Sequence, residues 1–344
     1  MEDIKNYTLE ELNKFLKGYP SFYAHQVFNW IYKKRIEDFD LMTDISKQAR
    51  DFLRDNFYFP KLKLLKRLIS KDRTEKFLFK LNDNSKIETV LIPEGKRNTL
   101  CISTQVGCKF RCRFCLSGLD GFKRNLSVAE IINQYLEVDD YIKPSHITNI
   151  VYMGVGEPLD NFINVIKSIK ILKSPYGSYF GKKKICLSTC GIIPQIKKLL
   201  SLNLEVKLSL SLHCSDSNKR SKLMPINKKY PLKELIKVAK EFANRDRFPV
   251  TFEYILIKDF NCNREEAVHL AKLIKGINCK VNIIVYNESK YFSWQAPSIC
   301  DIQVFKDTLK KNKVFFTFRK SRGDDILAGC GQLRAEFKKE ISQI

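Results

Sequence analysis

From residue 99 onward the sequence repeats one alternation six times: a short apolar run, then an amphipathic stretch. This rhythm constrains the fold more than any single residue does. The apolar runs are TLCISTQ (99–105), HITNIVYMG (146–154), KICLSTC (184–190), EVKLSLSLH (205–213), VTFEYILI (250–257) and KVNIIVYN (280–287). The stretches between them have helical spacing: about 127–142, then 161–173, 193–201, 231–243, 264–276 and 300–311. Ser127 with Glu130 forms a capping box that should open the first of these helices. A last run, VFFTFRK (314–320), leads into the C-terminal segment. Apolar strands that alternate with helices indicate an α/β fold, with parallel strands covered by helices. Such barrels place their chemistry in the loops at the C-terminal ends of the strands.

The first 98 residues follow a different pattern. TLEELNKFLKGY, FYAHQVFNWIYKK and DISKQARDFLRDNF each carry apolar residues near a 3.6 period, so residues 1–60 read as short helices. LKLLKRLISKD, EKFLFKLND and KIETVLIPE alternate apolar and polar, which predicts a small antiparallel ribbon over 61–98. The net charge is +23, and it is uneven. Residues 1–60 hold 9 basic and 10 acidic residues, while 61–344 hold 52 and 28. An excess of this size favours a polyanionic partner such as nucleic acid, although lysines on solvated helix faces would give the same count. Basic runs at 61–67, 181–184 and 219–229 are candidates for phosphate contacts. No run approaches the roughly 18 apolar residues of a membrane span, so no membrane partner is expected. The opening MEDIKNYTLEEL is acidic and lacks the apolar core of a secretion signal. Eleven cysteines without such a signal point to a reducing, cytoplasmic compartment.

Three of those cysteines crowd one loop: Cys108-x3-Cys112-x2-Cys115, directly after the first strand of the repeat. Soft thiolates suit zinc or an iron–sulfur cluster. Zinc would want a fourth ligand, usually from a second Cys-x2-Cys or a histidine pair. The four histidines stand singly at 25, 146, 213 and 269. Three thiolates would leave one iron of a four-iron cluster without a protein ligand, open to a small molecule.

This spacing, after the first strand of a six-unit parallel barrel, resembles the signature of radical S-adenosylmethionine enzymes. Longer segments resemble the RlmN family of dual-specificity ribosomal and transfer RNA adenine-C2 methyltransferases. They are KIETVLIPEGKRNTLCISTQVGC, GFKRNLSVAEI, MGVGEPLDN, LSTCGIIP, SLHCSDSNKRSKLMPINKKYPL and RKSRGDDILAGCGQL, with GYPSFYAHQVFNWIY and FDLMTDIS near the N-terminus. The resemblance runs essentially end to end. It implies a partial (β/α)6 radical-SAM barrel over 99–335, carrying a C-terminal reactive-cysteine loop. Residues 1–60 would form a small helical RNA-binding accessory domain, 61–98 a β-ribbon linker and 336–344 a tail. It also implies one [4Fe–4S] cluster on Cys108, Cys112 and Cys115, and S-adenosylmethionine as both methyl donor and radical source. The implied partners are 23S rRNA and tRNA, with an electron donor such as flavodoxin or ferredoxin, and the protein is expected to act as a monomer.

Site roles follow from the same resemblance. Adenine C2 is electron-poor and the methyl group of S-adenosylmethionine is electrophilic, so direct displacement between them fails on polarity. A thiolate can take the methyl first. Cys330, between Gly329 and Gly331, matches the family's methylated cysteine. Cys101 matches its partner in a transient disulfide that releases the product, and Glu88 matches the assigned proton acceptor. The residues alone leave open whether Cys101 or Glu88 takes the C2 proton. Gly156, Glu157, Ser188, Ser211, Leu212, His213 and Asn287 match positions that bind S-adenosylmethionine, all near strand ends. Val155 departs from the family's methionine in that loop, and Cys190 stands where serine is common. A C8-adenosine methyltransferase of the antibiotic-resistance type is the nearest competing reading, and a non-catalytic iron–sulfur or zinc RNA-binding protein a more distant one.

Overall fold

The structure is a computed structural model that describes residues 1–245, 248–319 and 321–334. The expected tail at 336–344 lies outside the described residues. The N-terminal region holds β1 (Glu2–Asp3), α1 (Leu9–Phe15), α2 (Tyr23–Tyr32), α3 (Lys47–Asn56) and β2 (Phe57–Tyr58). Thr8 and Glu11 form a capping box on α1, and Ser46 caps α3, so these short helices start where their side chains satisfy free backbone amides. The parallel pairing of β1 with β2 brings the two ends of this region together. It is pinned to the rest of the chain by Arg35–Asp139 at 2.8 Å and Lys167–Glu11 at 2.5 Å.

Next come β3 (Lys63–Ile69), β4 (Glu75–Lys80), β5 (Lys86–Glu94) and β6 (Arg97–Cys101). The short pair β7 (Gln105–Gly107) and β8 (Phe122–Asn125) brackets the cysteine loop, and α4 (Val128–Tyr141) follows with the expected Ser127–Glu130 capping box. The alternation then runs β9 (Asn149–Tyr152), α5 (Phe162–Lys173), β10 (Ile185–Thr189), α6 (Ile193–Ser201) and β11 (Lys207–Ser211). It continues with α7 (Ser217–Leu223), α8 (Leu232–Arg245), β12 (Val250–Leu256), α9 (Arg264–Leu273), β13 (Cys279–Val285), α10 (Ile299–Lys311) and β14 (Phe316–Arg319).

One ten-stranded sheet has the order β14-β13-β12-β11-β10-β9-β6-β5-β4-β3. The pairs from β14 to β6 are parallel, and those from β6 to β3 are antiparallel. The 61–98 ribbon is therefore part of the same sheet. It extends the barrel sheet through the pairing of β5 with β6. The first expected strand also differs: 99–105 breaks after Cys101, and Gln105 starts the hairpin around the cysteine loop.

Residue alternation along the strands sets two faces. In β12, Phe252 and Tyr254 join the large apolar core on the helix side, where Tyr254 packs on Phe305 of α10. Thr251 and Glu253 point the other way, into the lumen. Register extends that inner face across the sheet. One row runs Lys76, Val90, Cys101, Val151, Cys186 and Lys207, and another runs Ser211, Glu253, Asn282 and Thr317. The lumen is thus polar in its parallel half.

Beyond β14 the chain crosses back over the ribbon as a strap. Asp325 accepts from Ser70 Oγ at 2.5 Å and from the Lys71 amide, and the Gly323 amide donates to Asp72. Lys76 Nζ donates to the Leu327 carbonyl at 3.1 Å. Arg334 forks onto Asp120 with two contacts of 2.7 Å. The RGDDI motif is the clasp of this strap, which carries Cys330 over the lumen.

Candidate active site

Cys101 ends β6, buried in a small apolar cluster with Val90, Val155, Ala328 and Leu333. Two of these partners belong to the strap, on either side of Cys330. Burial pushes the Cys101 thiol up to about 12, and the nearby Cys330 adds to the rise. Cys330 itself is an exposed residue whose thiol is nevertheless crowded by surrounding protein. That crowding raises its pKa, and the Arg319 guanidinium opposes the rise. The sequence places these two cysteines 229 residues apart; the strap brings them together. Both thiols are free here, as are all eleven cysteines.

Glu88 lies two residues before Val90 on β5, so it shares the lumen face with Cys101. Its Oε1 is 3.0 Å from Lys76 Nζ, and both side chains are buried. Ser103 Oγ donates to the Glu88 carbonyl at 2.6 Å, which ties this strand to the segment just after Cys101. Lys76 was missed in the sequence, where it reads as one more lysine on an alternating ribbon. It holds Glu88 with its charge and the strap with a hydrogen bond.

The cysteine loop lies against the same strap. The Leu116 amide donates to the Gly331 carbonyl at 2.7 Å, and Ser117 Oγ donates to the Leu333 carbonyl at 2.8 Å. Gly331 has φ of +81°, and a Cβ there would meet the Phe114 carbonyl at 2.9 Å, so the close approach requires glycine. Burial raises the Cys108, Cys112 and Cys115 thiols, Cys108 to about 12. Cys115 raises Cys108 further, and Cys112 is raised further by both other thiols, which shows how near the three lie. Among the described residues, no three side chains are already arranged to hold a metal ion. The donor set nevertheless suits an iron–sulfur cluster: three soft ligands on one short loop, with the cation of Arg220 beside Cys112. Cys190, to which the sequence reading gave no role, lies close enough to Cys112 and Cys108 for their charges to raise its pKa.

Arg220 is the second residue the sequence concealed. It sits in the basic run 219–229, a candidate for phosphate contacts, yet it is 1% exposed. Its guanidinium donates to the carbonyls of Cys190, Ser211 and Leu212 and to Asn227 Oδ1. It therefore joins the C-terminal ends of β10 and β11. Lys219 of the same run pairs with Glu266 at 2.6 Å.

The residues expected to bind S-adenosylmethionine gather around those strand ends. Gly156 has φ of +103°, and a Cβ would meet the Gln105 side chain at 2.5 Å. Glu157 is buried and accepts from the amides of Leu159 at 3.0 Å and Cys190 at 2.7 Å, so it locks two strand-end loops together. Ser188 and Ser211 are half-buried near the ends of β10 and β11. Leu212 is fully buried. His213 sits at φ +58°, its ring 4.6 Å from that of Phe114 in the cysteine loop. Its Nδ1 accepts from the Ile255 amide at 3.1 Å. Burial, with the Arg220 charge, lowers its pKa to about 3, so the imidazole is neutral at physiological pH. Asn287 is half-buried and donates to the Cys330 carbonyl at 3.4 Å, linking the strand-end site to the reactive loop.

The Radical SAM superfamily matches residues 102–274, and the ribosomal RNA large subunit methyltransferase N-terminal domain matches residues 2–58. The fold and these matches define a radical S-adenosylmethionine enzyme. A crystal structure of a radical SAM methyltransferase from Sphaerobacter thermophilus superposes with a TM-score of 0.91 at 37% identity, covering 98% of this chain and 100% of that one. A protein of Dictyoglomus turgidum named "Probable dual-specificity RNA methyltransferase RlmN" is 45% identical over 343 residues, 98% of each chain. A protein of the same name from Spiroplasma citri is 44% identical over 340 residues, again 98% of each. The chain belongs to the RlmN family.

Proposed function

We propose that this enzyme methylates C2 of adenosine in 23S rRNA and in tRNA, by way of a methylated Cys330. The observation that carries the reading is the strap, which sets Cys330 against Cys101 and ties both to the cysteine loop. Cys108, Cys112 and Cys115 would hold a [4Fe–4S] cluster, and the strand-end residues from Gly156 to Asn287 would hold S-adenosylmethionine. When bound, these groups supply a methyl group and a hydrogen-abstracting radical.

Cys330 Sγ takes the methyl group, and its methyl carbon, after losing one hydrogen atom, bonds to the electron-poor ring carbon; the adduct then gives up the ring proton and one electron, which the bound cluster would accept. The base is then tethered to the protein through a thioether. The Cys101 thiolate attacks Cys330 Sγ, a disulfide forms, the carbon–sulfur bond breaks, and the departing carbon takes up a proton to become the methyl group of the freed base; a thiol reductant then restores the two cysteines. Glu88 stands on the same lumen face to accept the ring proton, and Cys101 is the alternative acceptor.

The opposite end of the barrel supports an RNA substrate. Arg97, Lys183, Lys184, Lys207 and Lys280 surround the mouth at the N-terminal ends of the strands. Burial lowers the Lys207 pKa, and the charges of Lys280, Lys183 and Arg97 lower it further, so these cations are clustered. Such a rim suits the phosphates of a strand whose base enters the lumen. The N-terminal domain serves as an RNA-binding accessory, the enzyme acts as a cytoplasmic monomer, and a flavodoxin or ferredoxin supplies the electron. Mass spectrometry of ribosomal and transfer RNA from cells with and without the gene tests the reading. Gene-dependent 2-methyladenosine in both RNAs is expected. Gene-dependent 8-methyladenosine instead would identify the C8 enzyme.

A further inference from the structure

A cavity of about 550 Å³ opens at the basic rim and runs up the lumen between the strands. Its wall includes Met153, Cys186, Ser209 and Arg319, but none of the strand-end residues expected to hold S-adenosylmethionine. Two buried polar side chains in that wall have no part in the chemistry above. Glu253 is 7% exposed and Asn282 is 4% exposed. They are register partners on β12 and β13, and Asn282 Nδ2 donates to Glu253 Oε2 at 2.6 Å. Thr317, the register partner of Asn282 on β14, donates from Oγ1 to Asn282 Oδ1 at 3.0 Å. The hydroxyl fixes the amide, and the amide fixes the carboxyl. Burial raises the Glu253 pKa, and the Asn282 hydrogen bond with the Arg319 and Lys280 charges opposes the rise, so a carboxylate is supported here.

We propose that Glu253, oriented by Asn282, accepts a hydrogen bond from the exocyclic amine of the adenine that enters this cavity, and so selects adenine over other purines. The inference rests on the RNA-adenosine reading above. Adenine carries a donor at position 6, whereas guanine and hypoxanthine carry a carbonyl oxygen there. A carboxylate oxygen facing that carbonyl would bring two acceptors together in a site with little water. A purine with no group at position 6 would leave Glu253 in the cavity without the donor it is oriented for. Glu253 is level with Ser211, its register partner on β11, and it lines the cavity that opens at the basic rim, so a base arriving from the rim meets it inside that cavity.

The test uses the full-length reconstituted enzyme and an RNA hairpin containing its target adenosine. Matched hairpins carry inosine or purine riboside at that position. The native protein should prefer adenosine over purine riboside by at least about 100-fold in kcat/KM, as sites built around a substrate hydrogen bond do. Glu253→Gln, whose amide can turn a donor or an acceptor to the cavity, should reduce the preference at least about tenfold, with the KM for S-adenosylmethionine unchanged. An unchanged preference in Glu253→Gln would overturn the inference, as would a loss that appears only in the KM for S-adenosylmethionine. If Glu253→Gln does not fold, Thr317→Val releases Asn282 while keeping the carboxyl. The preference should then weaken, and an unchanged ratio again overturns the inference. A native protein that methylates no adenosine would refute the RNA-adenosine reading itself, and this inference with it. A native protein that methylates adenosine and purine riboside equally well refutes the inference alone.

Discussion

Lys76→Met isolates the contact that joins the ribbon to the strap. Lys76 and Glu88 are both almost wholly buried at 3.0 Å, and the same ammonium holds the Leu327 carbonyl at 3.1 Å. Breaking a buried ion pair by removing one member costs about 3–5 kcal/mol. We expect the variant to lose at least about 3 kcal/mol at pH 7, read from urea unfolding. Glu88→Gln in the Lys76→Met background should recover most of the loss, because the two residues act as one unit. A deficit below about 1 kcal/mol would place the pair among exposed ion pairs and refute the reasoning.

Cys112→Ala should lose the brown absorbance and the bound iron of anaerobically reconstituted protein; stoichiometric zinc without iron in the native protein would contradict the cluster assignment. RNA binding should weaken steeply with salt, and Lys207→Glu with Lys280→Glu should flatten the slope of log K against log salt by roughly 0.7 per lost phosphate contact. Asp3 offers a pH test in the N-terminal domain: burial raises its pKa from 3.8 to about 6, against the opposing Lys5 charge and amide. A raised folded pKa means that stability falls as pH climbs from about 4 through about 6. Asp3→Asn should therefore gain up to about 3 kcal/mol at pH 7.5, and the gain should vanish at pH 4.

The strand–helix alternation was legible because buried parallel strands need continuous apolar runs, and β12 is buried along its whole length. Within that run the polar residues Thr251 and Glu253 alternate with Phe252 and Tyr254, so even the polar lumen is written in the sequence. The cysteine loop was legible because its three ligands are local. Local pattern could not show the contacts set by the strap; the pairing of Cys330 with Cys101 rested on the family resemblance alone. Lys76, Glu88 and Leu327 meet through register and loop closure across some 250 residues, and no local pattern marks such a contact. Arg220 was hidden for a related reason: a run of charges looks solvated, and only tertiary structure shows that one of them is enclosed by three carbonyls and an asparagine. The ribbon was recognised as antiparallel, but its fusion to the barrel sheet depends on the register between β5 and β6, which alternation alone does not specify.

The central claim is that Cys330 carries the methyl group to RNA and that Cys101 releases the product. The most direct measurement is a denaturing gel of Cys101→Ala and Cys330→Ala protein from expressing cells, run with and without ribonuclease. Cys101→Ala can still load Cys330 and join it to the base, but it cannot form the disulfide that frees the product. It should show a slow band that ribonuclease removes, while Cys330→Ala shows none. The band in Cys330→Ala alone would exchange the two roles, and its absence from both variants would contradict the covalent route.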